Sequence, residues 1–157
     1  MFRFASDGRV RWPLSIDQLQ EDGGTAAASF VVEYRAFTRD ELKQRDAALR
    51  EYARQMAELM PVEGALDTAD HASKRQALTE ARVKADDDQL RERVKGWKGI
   101  ADPSGAEIPF TPDNLQALLN NVLVRDVLLA GLVEASTGAR GKNSLPGLAG
   151  LPVPAQA

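Results

Sequence analysis

The stretch FVVEYRAFTRDEL, residues 30–42, changes from a strand pattern to a helix start within a few positions. Apolar residues alternate along its first half, which is the period of a half-buried strand, and this face consists of Phe30, Val32, Tyr34 and Ala36. Thr38 and Glu41 then form a capping box, and Phe37 with Leu42 supplies the matching hydrophobic staple. The stretch therefore predicts a strand followed directly by a helix that begins at about residue 39.

Residues 9–17, upstream of this stretch, alternate in the same way, with Val10, Trp12, Leu14 and Ile16 on the apolar face. The turn sequence EDGG, residues 21–24, separates the two runs. Together they predict an antiparallel β-hairpin with strands at about 9–16 and 26–36. Pro13 cannot donate to a strand ladder, so the first strand is expected at a sheet edge or with a bulge. Because an isolated hairpin is marginally stable in water, other parts of the chain or a partner must cover its apolar face.

Helices are predicted at about 39–60, 73–95 and 112–137. The first has an apolar stripe at the spacing of a packed helix and ends at Pro61 and Gly64. Its members are Leu42, Leu49, Tyr52, Met56 and Leu59. The segment 61–72 is interpreted as a connector, and the second helix is the most polar of the three.

The stretch VKGWKGIADPSGAEIPFTPDNLQALL, residues 94–119, contains several turn signals before a helix start. Residues 102–105, Asp-Pro-Ser-Gly, suit a type I turn. Thr111 is a predicted N-cap with Pro112 at the first helical position, and Phe110 forms a second staple with Leu115. The helix that follows is too broadly apolar for a surface helix, which predicts a core element, an interface or both.

The fold class predicted from these elements is α+β, mainly helical, with an N-terminal antiparallel hairpin packed on about three helices. Residues 1–137 are expected to form a single compact domain. Residues 138–157 are rich in glycine, proline and alanine without periodicity, and they are expected to form a flexible, disordered tail.

Composition excludes several classes of function. The chain has 157 residues, a net charge of -3 and no cysteine, which removes disulfides and thiolate metal sites. An acidic chain lacks the general electrostatic footprint of a nucleic-acid-binding protein and leaves room only for a local basic patch. No segment has the roughly 20 apolar residues of a membrane span, and no signal peptide is evident, so a cytoplasmic location is expected.

Catalytic and metal-binding motifs are lacking in the sequence, so no enzyme activity and no cofactor are expected. The single histidine, His71, has only Asp67 and Asp70 nearby, a weak oxygen-rich set for a metal. The run Asp86-Asp87-Asp88 points in different directions on a helix and is interpreted as a solvated face. Trp97, between two glycines, is either an exposed anchor for a partner or part of a local core under the 99–110 reversal, and the second interpretation is favoured.

The order of these motifs resembles the small tail assembly chaperones of long-tailed bacteriophages and related tail-like particles. The resemblance covers roughly residues 9–145, from RWPLSI at 11–16 to GARGKNS at 138–144. Its most specific part is Val94–Trp97 with Gly99-Ile100, the turn at Asp102, and Pro109–Thr111 before Asn114-Leu115. Residues 61–93 contain no matching motif.

The resemblance implies a non-enzymatic protein of the host cell cytoplasm that binds the tape measure protein and helps recruit tail tube subunits. Self-association, without nucleic-acid or membrane partners, is compatible with this role. Partner contacts are expected on the broad apolar helix and its staple, by a helix-in-groove mode. The residues concerned are Trp97, Phe110, Leu115, Leu118, Leu119, Val122 and Leu129. A permanent structural or adaptor component of a tail is the alternative, and a small DNA-binding regulator is a third possibility.

Chaperones of this type are often also made in a longer form by a ribosomal frameshift near the end of the short reading frame. Gly141-Lys142-Asn143 can be encoded by a purine-rich slippery run, or can simply belong to a polar end of the chain. The gene sequence at these codons distinguishes the two.

Overall fold

The computed structural model describes residues 7–19 and 23–138. The elements, in chain order, are β1 (Arg9–Leu19), β2 (Thr25–Arg35), α1 (Arg39–Leu59), α2 (Ala69–Arg93), β3 (Val94–Lys98), α3 (Pro112–Leu119) and α4 (Val122–Thr137). The predicted α+β class, mainly helical with an N-terminal antiparallel hairpin, is confirmed. The predictions for the tail and for a frameshift at 141–143 lie outside the described residues.

The sheet has three antiparallel strands in the order β1-β2-β3. In the hairpin, Trp12 pairs with Val32 and Leu14 with Phe30, so the predicted apolar faces coincide. Pro13 lies on β1, which is an edge strand as its missing donor requires.

The third strand, β3, corrects the prediction that the second helix extends to residue 95. Val94 already has an extended backbone, with φ -72° and ψ 123°. The side chains of Val94 and Trp97 both reach the core, because the bulge in the pairing with β2 places the two on the same face of the strand. A five-residue strand with one bulge has too little periodicity to be recognised from sequence.

The helix bounds differ from prediction in two further places. The second helix begins at Ala69 rather than at about residue 73, because Thr68 is its N-cap and accepts a hydrogen bond from the His71 amide at 3.1 Å. The predicted single helix 112–137 is two helices, α3 and α4, whose axes differ by 109°. The break falls at Asn120-Asn121, where the Asn121 side chain accepts from the Val124 amide at 3.2 Å and starts α4.

The core lies between the inner face of the sheet and helices α2, α3 and α4. Tyr34 is fully buried at its centre, and its hydroxyl donates to the Leu128 carbonyl at 2.9 Å. This bond joins β2 to α4, and burial raises the pKa of the Tyr34 hydroxyl well above its usual range. The next largest fully buried side chains in the described part of the chain are those of Val32, Leu90, Val94, Leu128 and Leu132.

Gly131 allows α4 to approach the hairpin closely. A Cβ atom at this position would lie 2.5 Å from Leu14 Cδ2 and 2.9 Å from the Tyr34 hydroxyl, and the hydroxyl is held by its hydrogen bond. We therefore expect Gly131→Ala to lower the free energy of unfolding by about 1–3 kcal/mol through overpacking, measured by urea denaturation.

The neighbouring exposed residue Ala130 provides the control for this prediction. There, Ala130→Gly should lower stability by about 1 kcal/mol, because glycine is the poorer helix former. The two positions thus prefer opposite residues, and a Gly131→Ala variant that is more stable than the natural chain would contradict the close packing of α4 on β1.

Candidate functional site: the helical hairpin

Helices α1 and α2 pack against each other as a helical hairpin. Arg45, near the start of α1, reaches Asp86, near the end of α2, with 3.2 Å between Nη1 and Oδ1. At the other end, the Arg75 guanidinium donates to the Leu59 carbonyl at 2.7 Å. These pairings show that the two helices run antiparallel and that residues 60–68 join them at the far end.

Helix α1 is the least covered element of the structure. It is 21 residues long, yet none of its residues is buried. Its apolar stripe is only half-buried against α2, and the members of the stripe are Leu42, Leu49, Tyr52, Met56 and Leu59. A helix normally buries such a stripe against a core, so α1 retains apolar surface that a further helix could cover.

Part of this surface lies at the far end of the hairpin. A groove of about 430 Å³ between the two helices is lined by Gln55, Glu58, Leu59, Lys74, Ala77 and Leu78. The adjoining connector exposes Met60 by 56%, Val62 by 77% and Leu66 by 95%. We call the groove together with these three residues the hairpin tip. Exposed apolar residues at the same end of a helical hairpin as an apolar groove are typical of a protein-binding surface.

The charged side chains at the rim of the hairpin tip form ion pairs within their own helices. The floor of the groove between them is apolar. Glu58 accepts from Arg54 at 2.5 Å, and Lys74 donates to Asp70 at 2.7 Å. Arg75 fixes the connector by bonding both the Leu59 carbonyl and the Asp67 carboxylate. An arginine that satisfies a helix C-terminal carbonyl stabilises that end of the helix, so the exposed connector has a defined anchor.

The carboxylates near His71 already form ion pairs with Arg75 and Lys74. The Arg75 guanidinium lowers the pKa of Asp67, and the Lys74 ammonium lowers the pKa of Asp70. Within residues 7–19 and 23–138, no group of three or more histidine, aspartate or glutamate side chains is arranged to hold a metal ion.

The other end of the hairpin is fixed by a buried charge cluster around Asp86, which the sequence did not reveal. Asp86 is 7% exposed. Its carboxylate forms ion pairs with Arg45 from α1, with Arg82 from α2 and, at 3.9 Å, with Arg125 from α4. Arg125 also donates to Asp87 at 2.6 Å. The interpretation of 86–88 as a solvated face is therefore wrong for Asp86 and Asp87. It failed because arginines distant in sequence converge on them.

A buried arginine, Arg93, anchors the start of α1. Arg93 is 5% exposed, bonds the Glu41 carboxylate at 2.9 Å and lies 4.0 Å above the Phe37 ring. Glu41 also accepts from the Thr38 amide at 2.8 Å, which completes the predicted capping box. The Arg93 bond and the capping bond lower the pKa of Glu41 to about 2. The base of the hairpin is therefore fixed, while its tip extends from the sheet-containing core.

The partner-binding residues predicted from sequence do not share one surface: some are buried in the core and others are exposed. Trp97 is buried, donates to the Ile108 carbonyl at 2.7 Å and meets Phe110 edge-on at 4.9 Å between centroids, as the local-core interpretation predicts. Leu115 and Leu119 are buried in the core, and Leu118 and Leu129 pack against it partly exposed. Only Phe110, 37% exposed, and Val122, 70% exposed, offer substantial apolar surface.

The hairpin tip was missed because its residues fall in a segment interpreted only as a connector. The available signal was the presence of Met60, Val62 and Leu66 in a stretch otherwise typical of a solvated loop.

A family model, described as YdaY prophage protein, matches residues 42–143. The chain belongs to this family. It is thus a protein of bacteriophage origin, and the match contains nearly all of α1, the complete connector and α2, but neither strand of the N-terminal hairpin. No curated protein and no solved structure matches the chain.

No described helix is by itself long and apolar enough to span a membrane. Helices α3 and α4 reach the required length and apolar character only as a pair, and that pair is bent by 109°.

Proposed function

We propose that this phage protein is a tail assembly chaperone that binds helical segments of the tape measure protein at the hairpin tip. The proposal combines the prophage family, the motif order that resembles tail assembly chaperones, and an apolar surface suited to a helical partner. Its role is non-enzymatic. Recruitment of tail tube subunits and self-association belong to the same proposal.

The observation that carries the proposal is the incomplete coverage of α1. Two antiparallel helices with an apolar groove between them can accept a third amphipathic helix, whose apolar stripe fills the groove while its polar face stays in water. The groove supplies Leu59, Ala77 and Leu78 as floor, with Glu58 and Lys74 at the rim. A long helical protein with apolar stripes, before it is packaged in a tail, has the chemistry that such a surface binds.

Co-expression of the chain with the tape measure protein of the same prophage tests this function. We expect the natural chain to keep the tape measure protein in the soluble fraction and to co-purify with it. The double variant Val62→Asp/Leu66→Asp should lose both properties, because two carboxylates would be desolvated in the complex. Both residues are exposed, so the variant should retain the fold, which circular dichroism and thermal unfolding can verify.

Two matched variants make the result specific. Val83→Asp introduces the same change at an exposed position of α2 outside the hairpin tip and should preserve solubilisation. Val122→Asp tests the surface predicted from sequence and should also preserve it. An insoluble tape measure protein despite the natural chain would contradict the function, whereas loss only in Val122→Asp would leave the function standing and move the binding site.

The alternative of a permanent tail component is tested on purified particles. A chaperone should be absent from them or present only in trace amounts by mass spectrometry, whereas a stoichiometric quantity of this chain would favour the structural role.

A further inference from the structure

The face of the sheet opposite the core carries a second groove, distinct from the hairpin tip. Its volume is about 380 Å³, and it is lined by Arg11, Val31, Glu33, Lys95, Gly96, Trp97 and Lys98. Phe30, Val32 and Tyr34 of β2 point into the core, so Val31 and Glu33 between them lie on the opposite face. Val31 is 38% exposed there, which gives the groove an apolar centre between charged sides. We call this the outer-face groove.

The charge of the outer-face groove is positive although the whole chain is acidic. Its one carboxylate, Glu33, accepts from Arg9 at 3.0 Å and Arg11 at 3.2 Å, and these bonds lower the pKa of Glu33. Lys95 and Lys98 form no ion pair with any carboxylate in the described part of the chain. The two lysines therefore remain as uncompensated cations beside an apolar floor.

Glycine at position 96 leaves the outer-face groove open, although the local backbone and packing do not require a glycine there. Its φ is not positive, and a Cβ atom added there would meet nothing within 4 Å. Glycine within a strand weakens it and often marks a place where a ligand or another backbone approaches closely. The bulge between the pairs Glu33–Gly96 and Tyr34–Val94 leaves Lys95 without a partner on β2, and bulges commonly re-aim side chains.

We propose that the outer-face groove binds an extended segment of a partner protein in which acidic and small apolar residues alternate. The carboxylates would pair with Lys95 and Lys98, and the apolar side chains would lie on Val31 and over Gly96.

The charges favour this occupant over three others. A second copy docked symmetrically through the same groove would bring its two lysines against the first pair, which like-charge repulsion opposes. Residues 139–157 of the chain contain Arg140 and Lys142 but no acidic residue, so they lack the complementary charge. Nucleic acid would meet the Glu33 carboxylate and an apolar floor rather than the row of cations that phosphates require.

Fluorescence anisotropy with a short, end-capped, labelled peptide in which glutamate and valine alternate tests the proposal. We expect this peptide to bind about tenfold or more tightly than one in which glutamine replaces glutamate, with an affinity that falls as salt is added. In NMR spectra of the full chain, the shifted amides should be those of residues 31–33 and 95–98.

Variants locate the site. Lys98→Glu should weaken binding of the glutamate peptide by about tenfold or more, whereas Lys43→Glu, the same charge change on exposed α1, should leave it nearly unchanged. Gly96→Leu should block the groove, and Gly96→Ala gives a smaller obstruction whose Cβ has open space. Thermal unfolding shows that each variant is folded.

Several results would overturn the proposal. One is equal affinity for the glutamate and glutamine peptides. Another is unchanged affinity for the glutamate peptide in Lys98→Glu and in both Gly96 variants. A third is peptide-induced amide shifts that are confined to other elements. Shifts of the same amides that depend on protein concentration alone would indicate a second copy, and preferential binding of a short DNA duplex would indicate nucleic acid. The outcome is independent of the tape measure experiment, because the outer-face groove shares no residue with the hairpin tip.

Discussion

Asp86→Ala is expected to lower the free energy of unfolding by about 3–5 kcal/mol, because it leaves buried cations without their carboxylate. The guanidinium groups of Arg45, Arg82 and Arg125 converge on this side chain, and each of the three is less than a fifth exposed. Without Asp86 they would repel one another where α1, α2 and α4 meet. Urea denaturation followed by circular dichroism measures the effect.

Asp88→Ala is the matched control. Asp88 lies on the same helix and pairs with Lys84 and Arg91, but its side chain is 50% exposed. Exposed pairs of this kind contribute about 0–1 kcal/mol. Equal losses in the two variants would contradict the buried cluster, and they would restore the interpretation of 86–88 as a solvated face.

The second large effect is expected at Arg93, which joins the end of α2 to the start of α1. Arg93→Ala should lower the free energy of unfolding by about 2–3 kcal/mol, because it removes a charge-assisted hydrogen bond from a buried guanidinium, while the remaining Glu41 side chain is 30% exposed and can be hydrated. The variant loses the bond to Glu41 and the contact with the Phe37 ring. Arg91→Ala, at an exposed neighbouring position, should cost less than about 1 kcal/mol in the same denaturation experiment.

The pH dependence provides an independent measure of the same interaction. The folded-state pKa of Glu41 is lowered from 4.5 to about 2, so its contribution is fully present above pH 4.5 and is lost as the pH falls from there towards 2. In Arg93→Ala this part of the acid destabilisation should be smaller than in the natural chain. An unchanged acid profile in Arg93→Ala would mean that the ion pair does not hold Glu41 ionised.

Features that depend on neighbouring residues in the sequence were predictable. The capping box of Thr38 and Glu41 and the cap of Thr111 with Pro112 formed as predicted, because each is specified within four residues. The alternation along β1 and β2 similarly indicated which face of each strand is turned to the core.

Features that depend on distant contacts were not predictable. Strand β3 exists because β2 pairs with it, and the burial of Asp86 depends on Arg45 and Arg125 from other helices. The break between α3 and α4 did have a local signal, the pair Asn120-Asn121, but the continuous apolar pattern around it outweighed that signal. The partner-binding residues predicted from sequence were placed on this apolar pattern, which the structure uses largely for its own core.

Hydrogen–deuterium exchange of the purified chain, with and without a helical tape measure peptide that it solubilises, tests the central claim most directly. Local protection from exchange reports where a bound partner suppresses opening of the helices. Binding at the hairpin tip predicts added protection in residues 55–62 and 74–78, and none in α3 and α4. Protection confined to residues around Phe110 and Val122, or no protection in either helix of the hairpin, would contradict it.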